Sequence, residues 1–542
     1  MKKFIIIFLV GIFILGFIQI SLAAKGTSEV GPRSAPAEEP KSTDKTERIT
    51  GDYDTKNAQQ FRGLMPDKTC IRLYQSDFDN LNTNLVISYP SGCVELMEDI
   101  TFNYGIILSD GSDGFYFTCN NHWLRGSPST DGIIAFNDVI IRDCTVTGRL
   151  IGFVIHDNTR VENGQAFSND YGFLAYNNAV VDNSWARENL QAGFIAFDQV
   201  AILNSNSWSN DEGYELQNDA AAVNSNAQSN TNEGFEMWGN SEVFHGFSRG
   251  NYEGYSMSDE STASVSTASY NTDEGFELFD RSRVFDSSSS RNSQGFDLNQ
   301  NTIATGSSTN NNGDGFVMRD FSSCVDCNSN DNQIAGFWIM DNSEVSNSRA
   351  MNNLINGFEQ YDYSTISEST ASHNLRNGFA LYDSSQVSDS TAQYNNDNNW
   401  DYIYGIRLNG FSNASNVRSD NNDNGIWVDQ GAKLLEGYRV CNNDAENIFV
   451  NGGYVEGRYQ TGPIGGAGNW QNAVLVPCGG GGGSSPLYLK AEQQGMVGQS
   501  PEGNSWVVLV IAIIALMLIF FTYRNFSAYR INRNRMNTRR RR

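Results

Sequence analysis

The sequence predicts an all-β chain: a three-sided parallel β-solenoid of about 16 coils with an N-terminal cap, followed by one C-terminal transmembrane helix. Three observations predict the solenoid. A unit of 20 or 21 residues recurs, apolar residues alternate within each unit between bends, and an Asn column crosses the units without a gap.

The repeat is plain in Gly336-Phe337-Trp338-Ile339-Met340, which leads seventeen positions on to Asn353. Copies open at Gly114, Gly132, Gly152, Gly172, Gly193, Gly213, Gly234, Gly254, Gly275, Gly295, Gly315, Gly336, Gly357, Gly378, Gly405 and Gly425. One unbroken period over such a length argues for a single elongated unit rather than several globular domains.

Counting each Gly as zero, apolar or small residues fall at +1 and +3, +7 and +9, and +12 and +14. A spacing of two puts each pair on one face of a strand, and the shifts between pairs mark bends, so a copy holds three short strands. Coils stacked about 4.8 Å apart would make a rod on the order of 80 Å long. Gly at 0 and Asn at +17 are the residue types that best tolerate left-handed backbone angles. The +12 column is Ser in many copies, from Ser184 to Ser348, and stacked hydroxyls can satisfy one another inside the coil. The Asn column runs from Asn169 to Asn442 as an amide ladder. A leucine-rich repeat has a similar period, but its Leu-x-x-Leu-x-Leu run is absent and the Ser/Asn-rich second halves would not form its helix.

The ends carry a different signal. Residues 1–23 read as a signal peptide, with Lys2-Lys3, an apolar run from Phe4 to Ile20 and the small-residue exit Ser21-Leu22-Ala23. An uncleaved anchor is the alternative. Residues 24–62 are a Pro/Ser/Glu-rich disordered linker, 63–113 the N-terminal cap and first coils, and 114–476 the repeats. Residues 477–504 form a Gly-rich tether, 505–523 a transmembrane helix and 524–542 a basic tail. The positive-inside rule then puts the tail in the cytoplasm and the solenoid outside a cell membrane it spans once. A cleaved sorting signal is the competing reading of that end.

The formal net charge of −25 repels nucleic acid and favours cations or cationic partners. Eight Cys in an exported chain permit disulfides, and proximity suggests Cys70 with Cys93 and Cys441 with Cys478. Cys324 and Cys327 lack the second pair a structural zinc site needs and read as small interior residues. The four His are too scattered for a metal centre.

Positions that build the coil say nothing of chemistry, so the outward positions +2 and +4 are the candidates. Glu215, Glu236, Glu277, Asp297, Glu359 and Trp338 stand at +2, and Trp238, Phe279 and Tyr361 at +4. Neighbouring rungs would bring these carboxylates and aromatic faces to about 5 Å, a mixture suited to sugar rings. The like-charged pairs Glu215 with Glu236 and Glu277 with Asp297 need a bridging cation or a proton, and calcium is the metal that prefers oxygen ligands alone. The same face is equally what keeps a long sheet soluble. Trp400 lies in the one insertion, between Gly378 and Gly405, where a loop can form the rim of a binding site.

Ser91 to Thr101, Phe117 to Gly126 and Ile140 to Gly148 resemble the opening coils of right-handed parallel β-helix proteins, the pectate-lyase-like superfamily with its NosD and CASH repeats. The resemblance spans about Cys70 to Tyr459 and implies right-handed coiling, as does the usual sense of parallel crossovers. For activity it implies polysaccharide lyase or glycoside hydrolase chemistry on an outer strand face, and adjacent-rung carboxylates would suit the ~5–5.5 Å separation of retaining enzymes. Such enzymes concentrate catalytic groups with Arg or Lys in a few rungs, and no such cluster stands out here. The expectation is a surface protein that binds glycan, cation or another surface protein, with membrane-tethered polysaccharide cleavage as the alternative.

Overall fold

The computed structural model describes residues 70–88, 92–109, 114–396, 403–435, 438–461, 464–478 and 487–488. They form a parallel β-solenoid of about 18 turns. Each full turn contributes one strand to each of three columns. In the turn opened by Gly336 these strands are Phe337–Ile339, Glu344–Ser346 and Arg349–Met351. Every strand pairs in parallel with its counterpart one turn on, as Phe337 with Phe358, Val345 with Ile366 and Ala350 with Ala371.

The side chains at +1, +3, +7, +9, +12 and +14 point inward as the periodicity requires: Phe337, Ile339, Ser343, Val345, Ser348 and Ala350 are all buried. At +1 the rings stack from Phe153 to Phe379 with centroids 4.4–4.9 Å apart and planes within 9° of parallel. Coil spacing imposes that offset stacking, which adds about 0.5–1.5 kcal/mol per pair to the area buried.

The count exceeds the expected sixteen because turns form where the Gly-Phe signature is missing. Leu85–Ser88 and Ile106–Ser109 already belong to the first column, pairing with each other and then with Ile133–Ala135. Gly114 does not open a coil, since Phe115–Thr118 pairs with Ile140–Arg142 in the second column. At the far end Ile448–Thr461 runs alongside all three columns, and Ile464–Pro477 pairs along it. Within the span expected as a tether, Leu487–Tyr488 returns antiparallel against Val474 and Leu475. The signal peptide, linker, transmembrane helix and basic tail fall outside the described residues. Among the described residues no helix is long and apolar enough to cross a membrane.

The physical role of the invariant positions differs from expectation. Left-handed angles occur at +5, +6, +11 and +16, as in Asp341, Asn342, Asn347 and Asn352, where Asx side chains tolerate them. Neither Gly336 nor Asn353 is among them. Gly is required at 0 because a Cβ on Gly336 would sit 2.6 Å from the Gly357 carbonyl oxygen and 2.8 Å from the Asn353 amide nitrogen. Asn at +17 holds the ladder. The Asn353 backbone N–H and Nδ2 donate to Asn374 Oδ1 at 3.1 and 2.9 Å, and Asn332 donates likewise to Asn353. The ladder passes from Asn422 to Asn443, not to Asn442, which takes a left-handed angle, and Asn443 Nδ2 donates in turn to Asn447 Oδ1 at 2.7 Å. The Ser column is satisfied through the backbone rather than hydroxyl to hydroxyl: Ser369 Oγ accepts from the Ser348 N–H and donates to the Ser367 carbonyl.

At the N-terminal end of the ladder Arg149 replaces Asn. Its backbone N–H donates to Asn169 Oδ1, while its wholly buried guanidinium donates to the carbonyls of Phe102, Tyr104 and Arg125 and to the Thr130 hydroxyl. One cation thereby ties the first turns to the regular rod, and burial lowers its pKa to about 10. Four disulfides form: the two suggested by proximity, Cys119–Cys144, and Cys324–Cys327 inside the coil.

Candidate functional site

The outer face of the first column carries more carboxylates than +2 alone supplies. The Gly at 0 directs its missing side chain toward the interior, as does the residue at +1, so the alternation breaks there and position −1 turns outward beside +2. Strand pairing shows the same break: Glu233 pairs with Glu253 and Phe235 with Tyr255, with no Gly pair between. Glu212, Glu233, Glu253 and Glu274 therefore join Glu215, Glu236 and Glu277 on one face. The sequence carries this signal in the recurrent acid before Gly213, Gly234, Gly254, Gly275 and Gly315, although strict alternation back from +1 and +3 would turn that position inward.

Within this row Glu212, Glu233 and Glu236 each offer an oxygen lying within 4.8 Å of the others. Oxygens on opposite sides of a calcium ion, at 2.3–2.6 Å each, would be separated by about that distance, so the donor set fits a hard cation. Half-burial makes the charge costly. Burial first and neighbouring carboxylates second push Glu236 and Glu277 up to about 8 and Glu212 and Glu253 up to about 7. Glu215, Glu233 and Glu274 are raised from the same first cause.

The two expected like-charge pairs behave differently. Glu215 and Glu236 are register partners, and the Gln217 amide donates to Glu215 at 2.6 Å. Asp297 is the register partner of Glu277, but Arg319 Nη1 donates to both its oxygens at 2.8 and 2.9 Å, and Asn299 donates at 3.1 Å. Asp297 thus has its own counter-charge, unlike the glutamates before it.

Trp238 and Phe279 stand half-buried at +4 on the turns of Glu236 and Glu277. Trp338 and Glu359 pair in register two and three turns beyond Asp297, and form a separate patch. There Glu359 accepts from Tyr361 Oη at 2.5 Å and from the Asn356 amide at 2.7 Å, while Tyr361 stacks on Tyr382 at 4.8 Å. Trp400 lies outside the described residues. The ladder passes its insertion undisturbed, since Asn395 donates to Asn422 at 2.9 Å.

No protein-family model matches the chain and no curated protein matches it. Among solved structures it is similar to the N-terminal fragment of bacteriophage phi29 gene product 12, at 8% identity and a TM-score of 0.34, over 72% of this chain and 87% of that one. It is also similar to the A-module of the Azotobacter vinelandii mannuronan C-5 epimerase AlgE6, at 10% identity and a TM-score of 0.20, over 75% and 100% of the two chains. The catalytic domain of GH87 alpha-1,3-glucanase matches at 11% identity and a TM-score of 0.18, over 67% of each chain.

Proposed function

We propose that this is a cell-surface protein whose solenoid binds divalent cations, calcium above all, on the outer face of the first column, and through them glycan. The observation that carries this reading is the convergence of the Glu212, Glu233 and Glu236 oxygens within 4.8 Å. Calcium would neutralise the row without protonating it, and Trp238 and Phe279 beside it offer flat faces to a sugar ring whose hydroxyls could complete the coordination. Right-handed coiling of the NosD/CASH type, export by the N-terminal signal and retention by the C-terminal apolar segment belong to the same proposal.

Calorimetric titration of the chain with calcium tests it. The expectation is binding that Glu236→Gln weakens at least tenfold, with glycan retained on an array only when calcium is present. Equal calcium binding by wild type and Glu212→Gln/Glu236→Gln would refute the site.

A second reading, polysaccharide cleavage, draws on Glu236 and Glu277 at about 8, the range of a general acid poised at neutral pH. Reducing-end or unsaturated-product assays on uronate polymers, with Glu277→Gln as control, decide between turnover and binding.

A further inference from the structure

The third column presents a face of opposite character over the turns from Gly152 to Gly275. Its outward positions bring together Phe167, Trp185, Arg187, Trp208 and Arg249, joined at the adjoining bend by Tyr270 and Arg291. Trp185 and Trp208 are 45% and 40% exposed, open enough for a ligand to lie on their faces.

The guanidiniums are laid on rings rather than on acids. Arg187 lies 4.5 Å from the Phe167 centroid, and Arg249 and Arg291 each lie 4.9 Å from that of Tyr270. Among the described residues none of the three makes an ion pair, although the chain has 62 acidic residues against 37 basic. A guanidinium stacked on a ring keeps its in-plane N–H groups directed outward and fixed, ready for a two-oxygen anion. Between the rings Asn206 and Asn226 form an amide ladder, with Nδ2 of Asn226 donating to Oδ1 of Asn206 at 2.8 Å.

We propose that this strip binds a linear anionic polysaccharide running along the solenoid axis. Its length, six rung steps or about 30 Å, suits an extended chain of several sugars. The Trp185 and Trp208 rings take the apolar faces of the sugars, amides their hydroxyls, and the three guanidiniums their acidic groups. A second copy docking its acidic row here is disfavoured by charge count, because carboxylates come about two per turn and these arginines one in two or three turns. A strip one short strand wide also falls below the roughly 800 Å² per partner of a standard protein interface. This binding uses a different face from the calcium row and does not depend on it.

The test is calorimetry and indole fluorescence on the full chain in EDTA, which silences the calcium row. The probes are a carboxylated hexasaccharide, a sulfated one, a neutral one and a thymidine hexanucleotide. The expected result is saturable quenching of Trp185 and Trp208 by one or both acidic sugars, the better of the two identifying the anion. Arg187→Gln/Arg249→Gln should weaken it at least tenfold, and so should added salt, while the neutral hexamer binds at least tenfold more weakly than the acidic one. These side chains point outward, so unchanged melting temperatures will show that the variants fold; Arg187→Lys/Arg249→Lys, which keeps the charge, should lie between. Equal binding of the neutral sugar, preference for the oligonucleotide, insensitivity to the arginines, or arginine-dependent self-association without sugar binding would each overturn the proposal.

Discussion

Glu233 and Glu236 lie three positions apart, a separation that regular strand alternation would send to opposite faces, yet their carboxylate oxygens approach within 4.8 Å on the same one. Gly234 between them turns inward, where a Cβ would meet the Gly254 carbonyl oxygen at 2.7 Å and the Asn251 amide nitrogen at 2.8 Å. One tight contact inside the coil thus decides where two acids stand outside it.

That row makes stability depend on pH. Glu236 and Glu277 reach about 8 and Glu212 and Glu253 about 7 in the fold, against an unfolded value near 4.5, so the folded state holds more protons than the unfolded one. The stability this confers is fully present below pH ~4.5 and is lost as pH rises to about 8. Melting temperature in EDTA should therefore fall between pH 5 and 8. Calcium should restore it at pH 8 and have little effect at pH 5, and Glu212→Gln/Glu236→Gln should flatten the profile; calorimetric scans check all three.

Gly336→Ala should destabilise the rod by roughly 1–3 kcal/mol, the usual cost of overpacking. The added Cβ would meet backbone at 2.6 Å and the Ala350 Cβ at 2.9 Å, so neither neighbour can rotate away. Urea unfolding measures the loss. A neutral or stabilising result would contradict the close approach.

Asn353→Ala removes the acceptor of the Asn332 N–H and the Nδ2 donor to Asn374, while Asn332 Nδ2 keeps the hydroxyls of Ser329 and Thr309. A buried donor left without an acceptor costs about 1–3 kcal/mol, so a loss of about 2 kcal/mol is expected. Hydrogen exchange should quicken at Asn332 and its neighbouring turns, while distant turns stay protected, because each coil contacts only its neighbours.

Arg149→Met keeps a long apolar stem but strips the donors from the Phe102, Tyr104 and Arg125 carbonyls. About 3 kcal/mol should be lost, concentrated in the turns before Gly132. Limited proteolysis should then release the N-terminal turns while the rod from Gly152 onward persists.

Much of the architecture was legible because a solenoid repeats its local rules. Six inward positions, the parallel columns and the Asn ladder all follow from a 20- or 21-residue period, and Cys70–Cys93 and Cys441–Cys478 from proximity at the ends. The first turns were less legible: Leu85–Ser88 and Ile106–Ser109 pair into the first column without a Gly-Phe signature, and only pairing with later coils reveals them. The candidate site was half legible. Glu215, Glu236 and Glu277 followed from alternation, whereas Glu212, Glu233, Glu253 and Glu274 needed the inward turn at each Gly.

By itself the sequence determined that this chain coils, with what period, which side chains line the interior and that acids recur on an outer row. Those properties depend on spacing along the chain. Tertiary structure alone decided that Asp297 is neutralised by Arg319 from the next turn, that Arg187 and Arg249 lie on rings rather than on acids, and that the residues before and after each Gly share a face. Such relationships depend on contacts between turns 20 or more residues apart and on one backbone approach too close for a methyl group, neither of which a local pattern encodes.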